Sequence, residues 1–289
     1  MLGSQVVIDA PAGVTAIGTD LAEGVDAPGV DLSDEKALAA LWAAHGPFGG
    51  VIHAAAYTAV DRAEEEEELA QRVNALVPEV LARACVAGGI PMVHVSTDFV
   101  FDGTRSEPYP ADHPTEPLGA YGRTKLEGEQ RAQAADPSVR IVRTQWLYGP
   151  RGGHFPGTIG RLARERETLR VVSDQIGAPT STLELAPALW DVWRKGEAGI
   201  YHASCEGSAS WFDFASRTVE ILRRSETLAL TDLSPCTTEE YPLPAPRPAY
   251  SVLDCERLTR LRGRSLADWK EALDRFMDLE ASATGAPQQ

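Results

Sequence analysis

The stretch PMVHVSTD, residues 91–98, decides the fold class of this 289-residue chain. Residues 91–95 form a short run rich in apolar side chains, which predicts a strand buried on both faces. Such strands belong to parallel sheets that are covered by helices on both sides. Ligands of these sheets bind at the carboxyl ends of the strands, so Ser96, Thr97 and Asp98 lie at the expected binding edge.

Strands and helices alternate on both sides of this stretch. Further strands are predicted at residues 14–17, 50–53, 139–143 and 200–203. Helices are predicted near residues 4–8, 33–44, 64–87, 121–135, 158–167, 183–195, 210–223 and 266–279. This order predicts an α/β fold with a doubly wound, Rossmann-like parallel sheet. Residues 1–145 are predicted to be a dinucleotide-binding domain, and residues 146–289 mainly a smaller C-terminal substrate-binding region, with segments near 183–224 returning to the first domain.

Composition excludes several classes of protein. The 43% hydrophobic and 24% charged residues exclude a disordered or fibrous chain. Lys plus Arg is 27 and Asp plus Glu is 42, and the resulting net charge of −15 disfavours binding to nucleic acid or to anionic membranes. The four cysteines are widely spaced, and neither a secretion signal nor an apolar membrane span is found, so we predict a cytoplasmic protein. The residues after Ala281 predict a frayed terminus.

The candidate chemistry lies in Thr97, Tyr121 and Lys125. Tyr121 and Lys125 are four residues apart and share one helix face. A phenol has an ordinary pKa near 10, and lowering that pKa to neutrality requires roughly 4 kcal/mol, part of which a neighbouring ammonium supplies. Thr97 is placed to hold a carbonyl oxygen while Tyr121 donates a proton. The trio suits ketone reduction by hydride, although a Tyr–Lys pair alone is common on solvated helices.

Six blocks of sequence supply the context for that pair. They are HAAAYTAVDRAE (53–64), STDFVFDG (96–103), YGRTKLEGE (121–129), RTQWLYG (143–149), DQIGAPT (174–180) and RPAYSVLD (247–254). In this order they resemble the extended short-chain dehydrogenase/reductases and, within them, the dTDP-4-dehydrorhamnose reductase family. The resemblance covers most of the chain from about Val51 onward. It implies hydride transfer from NADH or NADPH to the C4 keto group of dTDP-4-dehydro-L-rhamnose, giving dTDP-L-rhamnose.

The resemblance also implies roles for residues at matching positions. Tyr121 is the implied acid, Lys125 binds the nicotinamide ribose and tunes Tyr121, and Thr97 hydrogen-bonds the substrate. The implied cofactor-binding residues are Leu2, Gly3, Asp31, Leu32, Ala54, Ala55, Ala56, Tyr57, Thr58, Val95, Tyr121 and Lys125. The implied substrate-binding residues are Thr97, Asp98, Phe99, Trp146 and Arg247. Trp146 would pack on the sugar or base, and Arg247 would pair with a phosphate.

Phe99 departs from the family pattern and leaves alternatives open. The rhamnose reductases more often carry Tyr at this position, whereas related dehydratases carry Glu, so dehydration is disfavoured. One alternative is a reductase or epimerase acting on a different nucleotide sugar. Another is a non-catalytic regulatory subunit, because one branch that resembles these reductases binds a methionine adenosyltransferase.

The beginning of the printed sequence departs from the family more strongly. Dinucleotide folds of this type open with an apolar strand and a glycine-rich turn, of which only the last part resembles Met1-Leu2-Gly3. We expect roughly a dozen upstream residues to supply the strand and turn. The alternative is a degenerate relative with weak or no cofactor binding. Gly18-Thr19-Asp20 places an acid at a ribose position without a neighbouring Arg, which favours NADH over NADPH.

The remaining polar residues predict no second mechanism. The six histidines show no metal-ligand spacing; His53, His94 and His202 are predicted to be structural. Some family members are reported with magnesium, but no spacing in this chain predicts it. The acidic run 64–68 is expected to face solvent, while Asn74 either braces the site or faces solvent. The resemblance leaves a homodimer open.

Overall fold

The computed structural model describes residues 1–284, and residues 285–289 lie outside the described part of the chain. The α-helices are α1 (Leu2–Ile8), α2 (Glu35–His45), α3 (Glu67–Gln71), α4 (Val77–Gly88), α5 (Ala120–Ala135), α6 (Phe155–Glu165), α7 (Thr182–Lys195), α8 (Trp211–Leu222), α9 (Glu256–Arg262) and α10 (Trp269–Thr284). The strands are β1 (Thr19–Asp20), β2 (Ala27–Pro28), β3 (Val51–His53), β4 (Met92–Thr97), β5 (Arg140–Thr144), β6 (Leu147–Tyr148), β7 (Thr168–Val172), β8 (Ile176–Gly177), β9 (Thr180–Ser181), β10 (Gly199–His202), β11 (Ala209–Ser210) and β12 (Asp232–Cys236). The predicted frayed terminus extends into residues outside the described part.

A four-stranded parallel sheet in the order β10-β5-β4-β3 positions the candidate site. The predicted strands at 50–53, 91–95, 139–143 and 200–203 are confirmed, with bounds that differ by at most two residues. In the register of β4 and β5, Thr97 lies opposite Thr144. The carboxyl end of β4 therefore brings Thr97 to the edge at which parallel sheets bind their ligands.

Helices cover both faces of the sheet, which confirms the doubly wound prediction. Val93 and Val95 of β4 pack on one face with α1, α7 and α9, whereas Met92 packs on the other face with α2, α4 and α5. The alternation follows from the pleat of a strand, which turns successive side chains to opposite faces. Each fully buried side chain of this kind contributes about 1.5–3 kcal/mol through the hydrophobic effect. The short apolar run at the start of β4 is thus explained by burial on both sides.

The prediction of a strand at residues 14–17 is wrong. These residues lie outside any ladder, and the nearest pairing is the short parallel pair of β1 and β2. Residues 14–20 and residues 49–55 both line a cavity of about 360 Å³. A strand needs a neighbouring backbone at hydrogen-bonding distance, and the cavity separates residues 14–17 from such a neighbour. Within the described residues, β3 is bonded to β4 alone and forms an edge of the sheet.

The C-terminal half of the chain adds smaller paired elements. β7 pairs with β12, β8 with β11 and β6 with β9. The helices α6 and α8 pack with β7 around the buried residues Ile159, Leu169 and Val219. The strand β10 returns to the main sheet beside β5, although the domain boundary at 145/146 stays a prediction. None of the helices in residues 1–284 is long and apolar enough to cross a membrane.

Three buried imidazoles occupy the sheet. His53 and His94 lie side by side on β3 and β4, with 2.9 Å between their Nδ1 atoms. Burial lowers the pKa of His53 to about 3, and it does the same for His202. The imidazoles of His53 and His202 are therefore neutral at physiological pH. The side chains of His53, His94 and His202 are all buried, which agrees with the predicted structural role.

An ion pair between Glu129 of α5 and Arg143 of β5 joins this helix to the sheet. The closest nitrogen–oxygen distance is 2.7 Å, and the two side chains are 2% and 3% exposed. Removal of one partner leaves a buried charge without compensation, which costs about 3–5 kcal/mol.

We therefore expect Glu129→Ala to lower the free energy of unfolding by about 3–5 kcal/mol, measured by urea denaturation. The matched control is Glu165→Ala, which breaks an exposed pair with Arg161. The control should change the free energy of unfolding by less than about 1 kcal/mol. Equal effects of the two substitutions would contradict the assignment.

Candidate active site

The candidate site forms where the end of β4 meets the start of α5. Thr97 is the last residue of β4, and Tyr121 is the second residue of α5. The Thr97 side chain is a hydrogen-bond partner of the Tyr121 phenol. The ring of Phe99 packs edge-on against Tyr121, with 5.4 Å between ring centroids. The structure thus brings Tyr121 to Thr97 and Phe99, which precede it by more than 20 residues in the sequence.

Tyr121 keeps its proton at neutral pH. Burial raises the pKa of its phenol to about 12, and the nearby Asp98 carboxylate acts in the same direction, whereas the hydrogen bond with Thr97 lowers it. The prediction that Lys125 lowers this pKa is not met, because burial outweighs any stabilisation of the phenolate. The phenol is therefore suited to donate a proton rather than to accept one.

Lys125 lies one turn beyond Tyr121 and points to the backbone of β4. Its Nζ donates a hydrogen bond to the carbonyl oxygen of Val95 at 2.7 Å. The side chain is buried, and burial lowers its pKa to about 8, while the charge of Glu129 partly offsets the shift. Val95 was predicted to contact the cofactor; its side chain lies in the core, and its carbonyl group holds Lys125.

Asp98 is the buried carboxyl group of the site. Burial raises its pKa to about 6, although hydrogen bonds from Ser251 and Thr97 lower it. The Thr97 hydroxyl oxygen lies 3.0 Å from Oδ1, and Oδ2 is buried without a protein partner. The Ser251 hydroxyl oxygen lies 3.2 Å from Oε1 of Gln145, so its one proton can go to either Gln145 or Asp98. Sequence reasoning did not single out Ser251 and Gln145, although both lie within recognised blocks.

Asn74 braces the segment that follows β3. Its Oδ1 accepts a hydrogen bond from the backbone N–H of Tyr57 at 2.9 Å, and its Nδ2 donates to the Tyr57 carbonyl at 3.1 Å. The same Nδ2 donates to Oγ1 of Thr124 in α5 at 3.2 Å. Asn74 is buried, which decides between the two predicted roles in favour of bracing. It links residues 54–58 to the helix that carries Tyr121.

The acidic run 64–68 does not simply face solvent as predicted. Oε1 of Glu64 accepts a hydrogen bond from the backbone N–H of Ala120 at 2.8 Å, at the first turn of α5. Glu67 pairs with Arg123 of α5 at 3.0 Å, and Glu66 bonds to the hydroxyl of Tyr57. The partners in α5 are 56 residues away in the sequence, so local patterns contain no signal for them.

The predicted cofactor-binding residues fall into two groups. The first lines the cavity of about 360 Å³ and consists of Leu2, Gly3, Leu32, Ala54 and Ala55. The second lies outside that lining and consists of Asp31, Ala56, Tyr57, Thr58, Val95, Tyr121 and Lys125. A Cβ atom added at Gly3 would have no other heavy atom within 4 Å, so the space beside this residue is open. The walls of this cavity are mainly apolar, and Asp20 also lines it.

The two remaining substrate candidates have protein partners. Arg247 forms a two-point ion pair with Asp61, with nitrogen–oxygen distances of 2.8 and 2.7 Å. The predicted contact between Arg247 and a phosphate stays a prediction, and in this structure Asp61 accepts from two nitrogens of the guanidinium. Trp146 follows β5 and stacks on Trp211, a residue that the sequence did not point to. Among residues 1–284, no three His, Cys, Asp or Glu side chains are placed to hold a metal ion.

Comparison with known proteins agrees with this geometry. The family described as RmlD substrate binding domain matches residues 8–282. The chain belongs to this family. The dTDP-4-dehydrorhamnose reductase of Mycolicibacterium smegmatis is 40% identical over 299 residues, covering 99% of this chain and 88% of the relative.

Solved structures of the family share the fold. A dTDP-4-dehydrorhamnose reductase of Clostridium acetobutylicum is 38% identical with a TM-score of 0.87, covering 97% of this chain and 96% of its own. The enzyme of Bacillus anthracis, solved in complex with NADP, is 34% identical with a TM-score of 0.87, covering 96% and 95%. The fold described above is therefore that of the family.

The Glu64 carboxylate caps the start of α5 by accepting the hydrogen bond from the Ala120 N–H, and loss of this cap should lower stability. We expect Glu64→Ala to lower the free energy of unfolding by about 1 kcal/mol, because the Ala120 N–H loses its acceptor. Glu68→Ala, at an exposed position in the same run, should stay within about 0.5 kcal/mol of the parent protein. Urea denaturation measures both values, and indistinguishable variants would show that the cap contributes nothing.

Proposed function

We propose that this chain reduces the C4 ketone of dTDP-4-dehydro-L-rhamnose with a nicotinamide cofactor and forms dTDP-L-rhamnose. The observation that carries the proposal is the protonated Tyr121 phenol beside Thr97, with the Lys125 ammonium one helical turn away. Membership of the family supports the same substrate class. A subunit that only binds a partner protein does not require these three side chains in one cleft.

Residues on two elements would hold the cofactor. Leu32, Ala54 and Ala55 of the cavity wall would contact the adenosine half, and Lys125, whose Nζ lies 2.7 Å from the Val95 carbonyl oxygen, would bind the nicotinamide ribose. When bound, the reduced cofactor supplies the hydride that adds to the C4 carbon. Asp20 at the cavity favours a free ribose diol over a 2′-phosphate, because two anionic groups repel each other. We therefore propose NADH as the preferred cofactor.

The protein supplies the proton. As negative charge develops on the C4 oxygen, Tyr121 donates its phenolic proton to that oxygen, and the Thr97 hydroxyl stabilises the same atom by a hydrogen bond. The Lys125 ammonium stabilises the resulting phenolate by Coulomb attraction. The buried pocket strengthens these interactions because few water molecules compete for them.

A different nucleotide sugar is the second candidate substrate. Phe99 packs against Tyr121 and offers a ring without a hydroxyl group at that position. A pocket with one hydrogen bond fewer would distinguish sugar isomers less sharply. Comparison of kcat/KM among dTDP-, UDP- and GDP-linked 4-ketosugars separates the two candidates.

Substitution of Tyr121 tests the proposal directly. We expect the parent protein to oxidise NADH in the presence of dTDP-4-dehydro-L-rhamnose, and Tyr121→Phe to lower kcat by about 100-fold or more, because general acid catalysis is lost. Tyr241→Phe, at an exposed position, is the matched control and should retain full activity. A well-folded parent protein without substrate-dependent oxidation of NADH or NADPH would refute the proposed function.

The pKa of Lys125 predicts the alkaline side of the pH profile. Because burial lowers that pKa to about 8, the ammonium loses its proton as the pH rises through 8, while Tyr121, with a pKa of about 12, keeps its own. We expect kcat/KM to fall above about pH 8. Lys125→Met should be slower and should lack this decline. An unchanged decline in Lys125→Met would assign it to another group.

A further inference from the structure

Trp146 leaves β5 in a backbone conformation that needs support. Its φ is 47°, in the left-handed region that residues other than glycine rarely adopt. Such a conformation persists only where the surrounding structure holds it, and it occurs preferentially at functional sites. Trp146 is two residues beyond Thr144, which lies opposite Thr97 in the sheet. The half-buried indole is thus at the same sheet edge as the candidate site.

Trp211 holds the indole of Trp146 from the C-terminal half of the chain. The two rings stack face to face, with 3.7 Å between centroids and 11° between planes. Gly177 approaches the same indole so closely that a Cβ there would lie 2.6 Å from Cε2 of Trp146. Both contacts come from one unit, because β8, which contains Gly177, pairs with β11, which ends directly before Trp211.

The position of Trp211 is itself fixed by polar contacts. Trp211 is the first residue of α8, and Ser210 and Asp213 cap that helix with reciprocal hydrogen bonds. Its Nε1 donates to Oε1 of Gln175 at 3.2 Å, and Nε2 of Gln175 donates to Oγ1 of Thr238 at 3.0 Å. A ring held at its backbone and at its indole nitrogen has little freedom to turn away from Trp146.

We propose that Trp211 is a positioning residue for recognition of the nucleotide sugar, a proposal that rests on the proposed function. Trp211 holds the indole of Trp146, a residue with a strained backbone. That indole presents an aromatic surface to the sugar or base. The C-terminal half thereby contributes to specificity through a residue that need not touch the substrate. Because hydride and proton transfer take place at Tyr121 and the cofactor, loss of the stack affects binding of the nucleotide sugar more than turnover.

The experiment compares Trp211→Ala with Trp211→Phe. We expect Trp211→Ala to raise KM for the dTDP-ketosugar, and the dissociation constant of dTDP measured by calorimetry, by about three- to ten-fold. KM for NADH and kcat should change by less than about two-fold. Trp211→Phe keeps an aromatic face and should restore most of the affinity. Trp269→Phe, which alters a ring packed against Phe214, is the control for general loss of packing.

Circular dichroism reports the stack without substrate. Two indoles in face-to-face contact give an exciton couplet. Because Trp190 and Trp193 are also in ring contact, the couplet of the stack is the part of the signal that Trp211→Phe and Trp146→Phe both remove. Absence of the couplet in the parent protein would overturn the proposal. Equal increases in KM for sugar and NADH would also overturn it, as would an unchanged KM for the sugar in Trp211→Ala. If the parent protein binds neither dTDP nor the dTDP-ketosugar, the proposed function itself fails and this inference falls with it.

Discussion

The attachment of α5 to the sheet is the interaction on which the candidate site depends. Two buried charged side chains make it: Lys125 donates to the Val95 carbonyl of β4, and Glu129 pairs with Arg143 of β5. Removing either charge from water is costly unless its partners are well placed. The position of Tyr121 along the edge of β4 is therefore set by contacts that tolerate little displacement.

The same burial determines the chemistry of the site. It raises the pKa of Tyr121 to about 12 and lowers that of Lys125 to about 8, so near neutral pH the first is a neutral acid and the second a cation. Desolvation acts in opposite directions on the two pKa values because it disfavours the charged form of each group. Burial thus favours the neutral phenol of Tyr121 and disfavours the ammonium of Lys125, which the charge of Glu129 partly offsets.

Contacts between distant segments complete the arrangement. Glu64 bonds to the first turn of α5, Asn74 joins the segment after β3 to α5, and Trp211 supports Trp146 from the C-terminal half. None of these contacts follows from a local pattern, because the partners of Glu64 and Trp211 and the α5 partner of Asn74 lie at least 50 residues away. Local sequence also did not reveal the partner of Arg247. Its sequence context suggested a phosphate ligand, and the fold places Asp61 beside it.

The sequence by itself determined the alternation of strands and helices along the chain, the buried strand that precedes Thr97, and the spacing of Tyr121 and Lys125. Apolar periodicity and helix geometry are local properties, so they can be read without the fold. Only the tertiary structure decided that residues 14–17 lack a strand partner and which direction the pKa of Tyr121 takes. Both depend on what surrounds a residue in space, since backbone pairing and desolvation are set by neighbours distant in the chain.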